Sequence, residues 1–112
     1  MNPDLTIVCD VDDTLCFTVE RDYANSTPNL PVIAKLQEAH QKGYRIVLHT
    51  ARGQGRSQGL IASVAGEVIL EIESLCYRFS IPYDQIVVGK EWAKWYVDDR
   101  ALRPDEFTEV EL

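Results

Sequence analysis

The chain opens with a short apolar, β-branched run, Leu5-Thr6-Ile7-Val8-Cys9, that stops at Asp10. Such a run predicts a fully buried strand. Residues 10–30 then lose all periodicity and are rich in Asp, Asn, Thr and Pro. A connection of that length in a small domain usually carries function. From Pro31 to Lys42 the apolar positions Ile33, Leu36 and Ala39 or His40 keep helical spacing. Pro31 suits a first helical position and Gly43 a C-terminal cap. Tyr44 to His49 reads as a second strand ending at Thr50, followed by a polar loop over 51–59 with three glycines. A long helix is predicted from there to about Phe79, with Ile61, Val64, Val68, Ile72, Leu75 and Phe79 on one face. Gly66 lies inside it, at a cost of about 1 kcal/mol. Gln85 to Val88 and Trp95 to Val97 read as a third and a fourth strand, and 103–107 as a last helical turn.

Strands that alternate with helices predict an α/β fold, a three-layer Rossmann-like parallel sheet with helices on both faces. Ligands of such sheets bind beyond the carboxyl ends of the strands. Three of the four strands end at Asp10, Thr50 and Asp98, and Lys90 comes two residues after the remaining one. The chemistry-bearing residues therefore fall on one edge of the sheet.

The bulk numbers narrow the choice of ligand. The chain has 112 residues, enough for a single domain, and 46% of them are hydrophobic, so a real core is expected. The formal net charge is -7, with 18 acids against 11 bases. That balance speaks against a nucleic-acid partner and against an anionic membrane. No apolar run approaches the roughly 20 residues of a bilayer span, and the N-terminus has no secretory pattern. Cys9, Cys16 and Cys76 form no metal or disulfide pattern, so a reducing cytoplasm is the expected setting. The loop Gly53-Gln54-Gly55-Arg56-Ser57-Gln58-Gly59 has the wrong spacing for a dinucleotide fingerprint and reads as a flexible rim.

Asp10 and Asp12 are two apart and point to one side if the chain stays extended. Adjacent carboxylates repel, and a divalent cation relieves that. Magnesium takes oxygen ligands and needs only one or two carboxylates beside a substrate phosphate. Asp98 and Asp99 are placed to supply a further ligand. Alone, D-x-D is no more than a polar turn. Directly after a buried strand, and followed in order by a strand-end Thr, a Lys and an Asp-Asp pair, it points to phosphate chemistry.

At this point the chain resembles the haloacid-dehalogenase-like (HAD) phosphohydrolases. The first motif is Asp10-Val11-Asp12-Asp13-Thr14, the second Thr50, the third Lys90 and the fourth Asp98-Asp99. Glu91 stands where the family pattern has proline, which makes Lys94 the runner-up for the third motif. Three stretches, 23–29, Thr50-Ala51-Arg52 and 98–107, are similar to small capsular-polysaccharide biosynthesis phosphatases. The resemblance implies that Asp10 is the nucleophile and Asp12 the general acid and base. Crowding by other carboxylates would keep Asp12 in its acid form. It further implies that Thr50 and Lys90 hold the phosphoryl group, that Arg52 is a candidate substrate contact, and that Mg2+ is bound by Asp10, the backbone carbonyl of Asp12 and Asp98, with Asp99 as a water-mediated or orienting ligand. The expected activity is hydrolysis of a small phosphorylated metabolite, such as a sugar or polyol phosphate for a surface polysaccharide.

Residues 1–112 leave no room for a cap domain, so a short flap at about 14–30 is expected to cover the site, or a second copy of the chain in a homo-oligomer. Two alternatives share part of the pattern. A phosphoacceptor receiver domain needs its acceptor on a middle strand, and no strand-end Asp lies between residues 50 and 84. A polynucleotide 3'-phosphatase is disfavoured by the charge.

Overall fold

A computed structural model describes residues 2–112. Strand β1 (Thr6–Cys9) enters the core directly after a 3-10 turn at Pro3–Leu5. Two strands of two residues each, β2 (Cys16–Phe17) and β3 (Thr27–Pro28), pair antiparallel within the 14–30 segment, with a 3-10 turn at Tyr23–Asn25 between them. Helix α1 (Leu30–Gln41) leads to β4 (Arg45–Thr50). A one-turn helix, α2 (Gln54–Ser57), interrupts the glycine-bearing loop. Helix α3 (Ala65–Phe79), β5 (Gln85–Val88) and a short α4 (Pro104–Thr108) complete the described elements.

The result is an α/β unit with a parallel three-stranded sheet in the order β1-β4-β5 and four helices, consistent with a Rossmann-like arrangement. Thr6 pairs with Arg45 and Cys9 with Leu48; Val47 pairs with Gln85 and Thr50 with Val88. Both crossovers step in the same direction, which for right-handed connections puts α1 and α3 on one face. Ile46, Leu48 and Thr50 of β4 are almost completely buried. Ile46 and Leu48 share one core with Val32, Ile33 and Leu36 of α1 and Val68, Ile72 and Leu75 of α3. The other face, where helices are also expected, is less covered, with Val8 61% exposed.

The expected fourth strand does not form. Trp95–Val97 has no ladder partner, and Val97 is 98% exposed. A three-residue run with no apolar burial has nothing to offset the cost of ordering its backbone. Strand β1 is consequently an edge strand. The second helix also starts later than its apolar periodicity implies. Ile61–Ser63 is a 3-10 turn, and Val64 leaves helical geometry before α3 begins. Among the described residues, no helix is long and apolar enough to cross a membrane.

Candidate active site

Asp10 leaves β1 at its carboxyl end, where the chain turns sharply. Val11 and Leu15, both fully buried, anchor the turn, and the Leu15 amide donates to the Val11 carbonyl at 2.8 Å. Asp13 takes a left-handed conformation (φ 61°) that Asp tolerates better than most residues. With Val11 held inward, Asp10 and Asp12 line a cleft of about 520 Å³.

The neighbouring strand ends deliver the partners. The Lys90 amide donates to the Thr50 carbonyl at 3.1 Å, continuing the β4–β5 ladder, and Gln54 Nε2 donates to the Lys90 carbonyl at 3.0 Å. Lys90 Nζ lies 3.5 Å from Asp10 Oδ1, and the ammonium also sits 4.2 Å from the centre of the Tyr96 ring. The Thr14 hydroxyl donates to Asp10 Oδ2 at 3.3 Å. Thr50 is 1% exposed and lines the same cleft; its hydroxyl oxygen accepts from the Arg52 amide at 2.9 Å and keeps its own proton to donate. Next to it, burial first and then the Lys90 charge hold His49 below its ordinary value. Lys94 lies over Trp95 instead, so of the two lysines it is Lys90 that reaches Asp10.

Arg52 is the most enclosed charge in the cleft, with its side chain 2% exposed. It donates to both oxygens of Asp12, at 2.7 and 3.0 Å, and its Nη1 is 3.6 Å from Glu71 on α3. Its guanidinium lies 4.0 Å from the centre of the Tyr23 ring, which comes from the flap. Burial opposes the charge of Arg52, but the bonds to Asp12 prevail and hold it above its ordinary value. Arg56 makes two hydrogen bonds to Glu71 at 3.0 and 3.1 Å and is held above its ordinary value chiefly by them. The surroundings expected for Asp12 therefore need correcting: a guanidinium faces it, rather than a crowd of carboxylates.

Asp98 and Asp99 need a second correction. Both are exposed, and neither lines the cleft. Asp98 Oδ1 accepts from the Arg100 amide at 2.8 Å, an ordinary local turn. With the fourth strand unformed, nothing carries them to Asp10. Among the described residues no three acidic, His or Cys side chains converge as a metal cage. The predicted set of Asp10, Asp12, Asp98 and Asp99 is not assembled. The cleft also gathers Arg21 and Arg56, to which sequence reasoning gave no role, and Tyr23 and Arg103 from the stretches 23–29 and 98–107. Only the three-dimensional course of the flap, of α2 and of the segment leading into α4 brings them together, and periodicity carries no signal for that.

A structural-genomics target from Vibrio cholerae, known from its crystal structure, superposes with a TM-score of 0.90 at 37% sequence identity, over 96% of this chain and 89% of its own. The chain belongs to the family of that Vibrio cholerae protein. The fold is thus shared over nearly the whole length of both chains. A second likeness, to a chain in the structure of the Pnkp1/Rnl/Hen1 complex, has a TM-score of 0.54 at 24% identity and covers 94% of this chain but 34% of the other. At that identity it speaks for the fold alone. No protein-family model and no curated protein matches the chain.

Proposed function

We propose that this protein is a HAD-like phosphomonoesterase that works through an aspartyl-phosphate on Asp10. The observation that carries the reading is that Asp10 and Thr50 line one cleft at the carboxyl ends of β1 and β4, with Lys90, just beyond β5, holding its ammonium 3.5 Å from Asp10. In this mechanism an Asp10 oxygen attacks phosphorus in line, and the bond from phosphorus to the ester oxygen breaks. The departing oxygen takes a proton from Asp12, whose carboxylate first turns one oxygen away from Arg52 and takes up a proton from solvent. Water then attacks the aspartyl-phosphate, gives its proton to Asp12, and inorganic phosphate leaves. The Thr50 hydroxyl and Lys90 ammonium stabilise the charge on the phosphoryl oxygens, and Arg52 adds a third donor at the same wall.

Magnesium belongs to the proposal. The ion would neutralise charge between Asp10 and the phosphate. Asp10 suits it, since the ion needs one or two carboxylates beside the substrate and keeps several waters. The full carboxylate set does not fit as it stands, and Asp98 would have to approach the open edge of β1 to join.

The substrate proposed is a small phosphorylated metabolite, a sugar or polyol phosphate for a surface polysaccharide, met in the cytoplasm. Four of the chain's seven arginines line the cleft, so its local charge differs from the acidic whole. Exposed Trp95 and Val97 favour association of copies. Magnesium-dependent release of p-nitrophenol from p-nitrophenyl phosphate tests the activity. Asp10→Asn should remove at least about a thousandfold of it with the fold intact by circular dichroism. Undiminished turnover in that variant would sink the mechanism.

A further inference from the structure

Of the four arginines that line the cleft, Arg52 and Arg56 are neutralised by Asp12, Glu67 and Glu71. Among the described residues, Arg21 has no carboxylate within 4.0 Å and its side chain donates no hydrogen bond, so its charge is free for a ligand. Its placement is specific. Glu20 and Arg21 have φ of 50° and 61°, and the Asp22 amide donates to the Val19 carbonyl at 3.0 Å. That is a mirror-image tight turn, in which glycine or asparagine is the favoured occupant of both central positions. Two ordinary residues held there are a local strain of the kind that gathers at ligand sites.

The turn carries Arg21 across the cleft towards Gly55. A Cβ on Gly55 would lie 3.6 Å from Arg21 Nη2 and 3.1 Å from the Trp92 six-membered ring. Gly55 has no left-handed φ, so its backbone does not require glycine; the space does. Arg21, Trp92 and bare backbone thus frame one part of the cleft, and Trp92 is 71% exposed there. A cation without a partner beside an open aromatic face suits an anionic group attached to a flat ring.

From this we infer that Arg21 and Trp92 form a subsite for a second anionic group on the alcohol part of the substrate. It takes phosphomonoesters whose ring-shaped leaving group carries a carboxylate or a further phosphoryl group. The inference rests on the phosphatase reading of the Asp10 cleft.

Phenyl phosphate and 4-carboxyphenyl phosphate differ only in the second anion and test it directly. The wild-type protein should favour the carboxylated ester in kcat/KM by at least about tenfold, the usual scale of one charge-assisted hydrogen bond. Arg21→Gln should reduce that preference to less than about threefold. No preference in the wild type, or a preference that survives in Arg21→Gln and disappears in Arg103→Gln, overturns the assignment. If neither ester is hydrolysed, the phosphatase reading has failed, and the subsite is read by binding instead. Quenching of tryptophan fluorescence by 4-carboxyphenyl phosphate should then be tighter than by phenyl phosphate in the wild type and not in Arg21→Gln. Equal affinities there refute the subsite on their own.

Discussion

Arg52 holds both carboxylate oxygens of Asp12, at 2.7 and 3.0 Å, while its own side chain is 2% exposed. The pair ties the loop after β4 to the loop after β1, and Glu71 backs it from α3 at 3.6 Å. Removing one member of a buried ion pair costs about 3–5 kcal/mol, because the other charge is stranded. Here Asp12 is one-third exposed and Glu71 remains, so Asp12→Ala should cost about 2 kcal/mol. A shift in the urea midpoint with unchanged slope is the readout. Unaltered stability would mean that Glu71 alone satisfies Arg52.

The two lysines after β5 should separate cleanly. Lys90→Met removes the ammonium 3.5 Å from Asp10 and should lower kcat/KM on p-nitrophenyl phosphate by about a hundredfold or more. Lys94→Met removes a charge that lies over Trp95 and should change it by less than about twofold. The reverse order of effects would assign the phosphate contact to Lys94.

Gly53 supports the cleft through its backbone. Its φ of +96° is unfavourable for any L side chain, and an added Cβ would lie 2.8 Å from Val68 Cγ2 and 3.0 Å from Ile61 Cδ1. Gly53→Ala combines the conformational penalty of about 1 kcal/mol with overpacking of about 1–3 kcal/mol. A loss of about 2–4 kcal/mol in equilibrium unfolding is expected. A loss below about 0.5 kcal/mol would show that α3 yields at Val68.

The buried thiols should be inert. Burial first, and then the charge of Glu73, push the Cys76 thiol up to about 12; burial and Asp10 do the same for Cys9. At pH 8 each then holds about a thousandfold less thiolate than an ordinary cysteine. Iodoacetamide should label both slowly in the native protein and rapidly after unfolding in urea. The sign for stability follows. Both groups keep their protons longer when folded, so their contribution is complete below about pH 9 and is lost as pH rises towards 12. Rapid native labelling at pH 8 would contradict the enclosed setting of Cys76.

Much of the site was legible because parallel strands share an edge. Asp10, Thr50 and Lys90 each follow an apolar run, and in a parallel sheet the ends of neighbouring runs must meet. What the sequence did not reveal depends on partners remote in the chain. Asp12 is 40 residues from Arg52, and nothing in the local pattern distinguishes a pairing with arginine from a cluster of acids. Trp95 to Val97 has the composition of a strand, but a strand exists only where a neighbour accepts its hydrogen bonds. The helix boundary was misplaced for a related reason. Ile61 and Val64 continue the apolar spacing of α3, yet they lie beside Gly53 from a 3-10 turn and from the non-helical residue that follows it. Periodicity records which residues are inside, not which backbone carries them there.

The edge position of β1 has a consequence for how firmly Asp10 is aimed. Each residue from Thr6 to Cys9 has its pairing partner on β4, and no ladder lies on the other side. About half of that strand's amides therefore face away from any partner strand and should exchange with solvent quickly, while their neighbours are protected. The carboxylate at the end of the strand is tethered along one flank only, and its steadiness is borrowed from the stiffness of β4.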